Sequence, residues 1–183
     1  IGHSARETYK MLDDFGVKII AKPFAVGFRV EHPQQMVNRA KYKEFYNHPR
    51  LGAADYQLTY KSDKYERSAY TFCMCPGGLV IGSSSDKDEL VVNGMSYHAR
   101  NLENANSALL VSVSPKDFKA GALSGIEFQK KFEKMAFELG GGKYKAPVQR
   151  VEDFLKSEKT KAIGRVRPSY NPGFTIADLS KVY

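Results

Sequence analysis

The sequence predicts an α+β fold: an antiparallel β-sheet or small barrel subdomain with flanking helices, followed by a C-terminal helical subdomain. Three observations carry this. Over residues 56–113, short apolar or alternating runs rich in Tyr, Thr and Phe are separated by closely spaced turn signals, the pattern of antiparallel pairing in a meander or small barrel. From Gly125 the spacing changes, and Ile126, Phe128, Phe132, Met135, Ala136 and Leu139 recur at helical intervals. At 183 residues, 42% hydrophobic and 26% charged, the chain is long and apolar enough to bury a real core.

The opening, Ile1-Gly-His-Ser-Ala-Arg-Glu7, reads as a strand end running into a helix. It has no initiator Met and no signal-like start, so a piece excised from a longer chain is expected. Ser4 with Glu7 fits a capping box, and the helix should run over residues 4–15 with Gly16 as its stop. Residues 17–20 form a short strand and residues 24–31 a better one. Pro33 can open a helix reaching about residue 43. Residues 44–55 are loop, and strands follow at 56–61, 67–75, 79–82, 89–93 and 108–113, with Pro76-Gly77-Gly78 as a turn. The helix begun near Gly125 ends at Gly140-Gly-Gly142; a second helix covers residues 147–156, and Thr175 with Asp178 opens a last one. This divides the chain into a junction (1–16), an antiparallel β subdomain (17–119) and a helical subdomain with a return segment (120–183).

The formal net charge is +8. The cations are spread, densest at Lys156, Lys159, Lys161, Arg165 and Arg167, which suits a solvated face, an acidic partner domain or an anionic small molecule. No Arg/Gly/aromatic signature of an RNA module is present, which speaks against nucleic acid. No apolar run approaches the roughly 18 residues of a membrane span, so no membrane partner is expected and the expected home is cytoplasmic.

A strand–Gly–helix junction brings backbone close to a ligand, because Gly lacks a Cβ and a helix start offers free N–H groups. Gly2, His3 and Ser4 sit there. Cys73 and Cys75, two apart on a strand, should share one face, as a redox-active or ligand-lining pair or as two small buried hydrophobes. Two thiols alone cannot complete a tetrahedral zinc site, and no metal is expected. Arg29 lies within an apolar strand and must face solvent, a carboxylate or a ligand anion. Asn93, Ser96, Arg100, Asn104 and Asn106 form a stretch dense in hydrogen-bonding groups, suited to a polar ligand or a domain interface. His32 reads as a hydrogen-bond partner at a helix entry, while His48 and His98 read as loop residues. The triple Gly at 140–142 is a helix stop or a phosphate cradle, but not a P-loop, since the Lys-Ser/Thr ending is absent.

Several long motifs in one order resemble the FAD-dependent, or NAD(FAD)-utilising, dehydrogenases of bacteria. They are Gly2-His-Ser-Ala-Arg6, Lys22-Pro-Phe-Ala-Val-Gly-Phe-Arg-Val-Glu-His-Pro-Gln34, His48-Pro-Arg-Leu-Gly-Ala-Ala-Asp-Tyr56, Tyr70-Thr-Phe-Cys-Met-Cys-Pro-Gly-Gly78, Val92-Asn-Gly-Met-Ser96, Ala99-Arg100, Glu103-Asn-Ala-Asn-Ser107 and Gly140-Gly-Gly-Lys-Tyr-Lys-Ala-Pro147. The resemblance implies FAD held by a Rossmann-like flavin domain of the same parent chain. It makes this stretch the inserted domain that covers the flavin from the substrate side. It brings Gly2, His3 and Ser4 near the cofactor, and it admits NAD(P)H as an electron donor. The substrate stays open. The rivals are a non-enzymatic binding module whose basic surface takes nucleic acid or a protein partner, and a structural domain that mediates oligomerisation.

Overall fold

A computed structural model describes residues 2–182. Its largest sheet has four strands in the order β1-β6-β3-β2, all antiparallel: β1 (Phe24–Pro33), β2 (Thr59–Ser62), β3 (Arg67–Cys75) and β6 (Asn104–Val113). β1 and β6 pair along their full length, from Phe24 opposite Val113 to Pro33 opposite Asn104. Gly27 permits this approach, because a Cβ there would run into the Leu109 carbonyl. A hairpin of β4 (Gly78–Gly82) and β5 (Val92–Ser96) stands beside the sheet. The fold is therefore α+β with an antiparallel main sheet and an antiparallel hairpin, as the turn spacing predicts.

α1 (Arg6–Asp14) begins later than the capping-box reading. Its N-cap is Ala5, with no side-chain capping bond, and Ser4 stays exposed. Gly16 does end it, at φ +77°. Residues 17–20 are not a strand, since Val17 is drawn back onto Leu12 by its N–H instead of onto a neighbouring strand. Pro33 is the N-cap of α2 (Gln34–Tyr42) and not its first residue. The strand expected at 89–93 is shifted to β5, because Leu90 N–H bonds the carbonyl of Glu133 on α3 (Ser124–Leu139), taking it out of the ladder.

Residues 120–183 do not form a clearly helical subdomain. After α3 and the Gly140 stop, Pro147 lies on a short strand, β7 (Ala146–Val148), and the remaining helix, α4 (Val151–Leu155), is one turn and a half. Thr175 lies on β8 (Phe174–Ile176), which pairs parallel with β7, and Asp178 caps only a short 3-10 turn, Leu179–Lys181. The core joins these regions: Phe137 of α3 and Tyr170 pack with Val80 and Leu90, beside Val92, Ala136 and Ala146. A second apolar cluster stacks Phe24, Phe118, Phe128 and Phe132. No described helix is long and apolar enough to cross a membrane.

Arg67 forks onto both oxygens of Asp117, which also accepts from the Ser114 N–H at 2.7 Å. These bonds, the guanidinium first, hold the Asp117 carboxyl down at about 2. A depressed folded pKa gives stability that is present above the unfolded value and lost as pH falls through the folded one. Asp117→Asn is therefore expected to remove part of the acid sensitivity between about pH 4 and pH 2, read by urea denaturation at pH 7 and pH 3.

Candidate functional site

Two clusters hold the chemically capable side chains. The first surrounds Arg6, which α1 points inward. Arg6 is 8% exposed and donates to Glu133 on α3 at 2.7 Å, to Asp86 at 2.8 Å and to Glu89. Glu89 is 1% exposed. His3 reaches the same group, its Nε2 lying 2.9 Å from Glu133 Oε1. Burial opposes the Arg6 charge, but the bonds to Glu133, Glu89 and Asp86 outweigh it and hold the guanidinium above its ordinary range. Burial and the neighbouring Glu133 push the Glu89 carboxyl up, against the bonds from Arg6 that pull it down. Burial pushes Glu133 the same way, yet the bonds from His3 and Arg6 prevail and keep it below the usual range.

His3 also lines a cleft of about 330 Å³, walled by Gly2, Tyr9, Ile20, Phe24, Phe118 and Ile126 among others. Gly2 has open space where a Cβ would stand. Of the three residues expected beside a cofactor, Gly2 and His3 line this cleft, and Ser4 is exposed next to them.

The second cluster is built on the sheet. Arg29 of β1 donates to Asn106 Oδ1 on β6 at 2.6 Å and to Asn93 Oδ1 on β5 at 3.1 Å, with the Cys73 carbonyl at 3.4 Å. Burial pushes this guanidinium down. No carboxylate pairs with it among the described ion pairs. Gly94 makes room: a Cβ there would collide with Asn106 Oδ1 and Arg29 Nη1 and stand 2.8 Å from Cys75 Sγ. Asn106 is fully buried, and its Nδ2 has no hydrogen-bond partner among the described residues.

The two thiols depart from a simple alternation. The β3–β6 register shifts between Phe72 and Cys75, and Cys73 takes φ +45°, a conformation uncommon for any residue but Gly. Cys73 is exposed, Cys75 is half-buried, and the Cys75 thiol lies 3.3 Å from the Cys73 carbonyl. The bulge interrupts the two-residue repeat on which the shared-face expectation rests.

Arg29, Cys73, Cys75, Asn93 and Asn106 thus come together. Ser96, Arg100 and Asn104 do not join them. Ser96 Oγ donates to the Pro76 carbonyl at 2.7 Å and braces the turn. Arg100 sits at φ +48° with its carbonyl against Gly77. Asn104 donates to Glu31 and to the Arg167 carbonyl, beside a separate cleft lined by Arg165, Arg167 and Ser169. His32, directly before the Pro33 N-cap of α2, pairs with Tyr56 Oη at 2.7 Å. His48 accepts from the Arg50 N–H, and His98 lies in a turn after β5.

The sequence reading missed Arg6, Asp86, Glu89 and Glu133. A signal existed for Glu133. It stands four residues before the buried Phe137, so it falls on the inward face of α3, where a carboxylate needs a partner.

A protein-family model described as FAD-dependent protein, C-terminal domain-like, matches residues 23–183. An uncharacterised protein of Clostridium beijerinckii is 54% identical over 182 residues, which are 99% of this chain and 34% of that protein. The chain spans about a third of the length of this relative.

Proposed function

The chain belongs to the FAD-dependent protein, C-terminal domain-like family, and from this premise we propose that it is the substrate-side domain of an FAD-dependent oxidoreductase, inserted between the halves of a Rossmann-like flavin domain in a longer, cytoplasmic protein. The observation that carries the reading is the apolar cleft beside Gly2 and His3, the residues whose motif led to a flavin. Its walls suit a flat ring. Its volume is near the lower end for drug-sized ligands, so it takes a ring system and not a whole dinucleotide. The chain has no Gly-x-Gly-x-x-Gly to hold a pyrophosphate, so that part of the cofactor belongs to the other domain.

A bound flavin supplies hydride transfer, with a reduced nicotinamide as the candidate donor. The chain's own residues bind, orient and exclude water. Phe24, Phe118 and Ile126 form an apolar wall, and Ser4 lies at the rim. Arg29, oriented by Asn93 and Asn106, makes no ion pair at contact distance among the described residues, Glu31 acting on it only at longer range, which suits an anionic group of a substrate or of the partner domain. Cys73 and Cys75 line that second place. By strand rise the two places stand roughly 17 Å apart along β1, so each is tested on its own.

Ile20→Arg, in the cleft, is expected to weaken FAD retention by the full-length protein at least about tenfold. Arg29→Gln should leave retention within about twofold. Equilibrium dialysis against FAD reads both. Equal retention by Ile20→Arg and the unaltered protein would remove the cleft from the flavin site.

A further inference from the structure

We propose that His3 is the proton-transfer residue of the cleft, exchanging a proton through Nδ1 with a flat, weakly acidic ligand, and that Glu133 is its positioning residue. The ligand class is a ring N–H or a phenol- or enol-type O–H. This rests on the reading that a ring binds in the cleft.

The geometry assigns the roles. His3 Nε2 lies 2.9 Å from Glu133 Oε1, which only accepts, and 3.3 Å from Arg6 Nη2, which only donates; the shorter contact is to the carboxylate, and it assigns the hydrogen to Nε2. Nδ1 then keeps the lone pair and has no partner among the described hydrogen bonds. The ring lines the cleft and its side chain is 40% exposed, which leaves it open to a ligand. Glu133 is fixed in turn by Arg6, at 2.7 Å from its other oxygen, and Arg6 is held by Glu89 and Asp86. A histidine backed by a buried, charge-anchored carboxylate is the arrangement by which proteins fix a tautomer and stabilise the imidazolium that forms on proton uptake.

The step balances without a co-reactant. The ligand's X–H bond breaks, its electron pair stays on X, and the proton forms an N–H bond at Nδ1. The resulting imidazolium stands against ionised Glu133, and the ligand leaves as its anion or takes the proton back. The charged groups facing the pair are Glu133 from α3, Arg6 from α1, Asp86 and Glu89 from the segment before β5, and Lys22 on the approach to β1.

The probe is 4-nitrophenol, whose anion absorbs in the visible, added to the flavin-free full-length protein about one pH unit below the phenol's own pKa. The expected result is a bound-phenolate band at least about tenfold stronger than in His3→Gln, with Glu133→Gln intermediate. Ring-nitrogen NMR of ¹⁵N-histidine protein should place the hydrogen on Nε2 of His3, with that preference weakened in Glu133→Gln. The same phenolate band in His3→Gln, no bound phenolate in the unaltered protein, or an Nδ1–H tautomer would each overturn the proposal. FAD displacing the bound phenolate supports the flavin reading as well. A phenolate that FAD does not displace keeps His3 as the base while removing the flavin from the cleft.

Discussion

Arg6→Ala is expected to destabilise the fold by about 3–5 kcal/mol at neutral pH, the cost of leaving buried carboxylates without their cation. Arg6 is the one guanidinium holding Glu89, Glu133 and Asp86 together among the described ion pairs. Removing it strands Glu89, which has almost no solvent contact, and loosens α1 from α3. The deficit also has a pH signature. Without Arg6 the folded-state value of Glu89, already above the ordinary carboxyl range, rises further, and Glu133 loses one of the bonds that hold it below against burial. The folded variant then binds more protons than the unfolded chain, so its stability falls as pH rises through that range. Urea denaturation should show a large gap from the unaltered protein at pH 7 and a smaller one near pH 4. Arg6→Lys should fall between, because one ammonium cannot supply the fork that reaches three carboxylates.

Gly94→Ala is expected to cost about 1–3 kcal/mol and to break the sheet cluster open. The added methyl would occupy the space of Asn106 Oδ1 and Arg29 Nη1. Asn106 is wholly buried and cannot swing aside, so the Arg29 end must leave. Its bonds to Asn106 and Asn93 go with it, and the half-buried Cys75 loses its cover. Two measurements check this: denaturation, and labelling with Ellman's reagent, in which Cys75 should react faster than in the unaltered protein. Gly2→Ala is the control. Nothing stands within 4 Å of its Cβ position, so it should change stability by no more than about 0.5 kcal/mol.

The sheet was legible because its strands carry period-two or continuous apolar runs bounded by turns, and β3 matches its expected span, residues 67–75. α3 was legible from its apolar stripe. The short elements were not. Residues 17–20 are apolar enough for a strand but find no partner strand among the described residues, and Pro147 and Thr175 suggest helix starts where a parallel pair forms by long-range contact. The Arg29 cluster was half legible. An Arg in an apolar strand demands a partner, yet only the fold brings Asn93 and Asn106 to it. The Arg6 network was hidden because its members lie up to 127 positions apart, and buried carboxylates look like surface ones until they are placed.

The most direct measurement of the account is the visible absorption spectrum of the purified full-length protein beside that of this 183-residue chain. A flavin band in the full-length protein and none in the isolated chain is the expected result, since on the proposed reading the pyrophosphate is held by the flavin domain and this chain carries no Gly-x-Gly-x-x-Gly. No flavin band in the full-length protein, even after FAD is added, would contradict the oxidoreductase reading and leave a non-enzymatic binding module in its place.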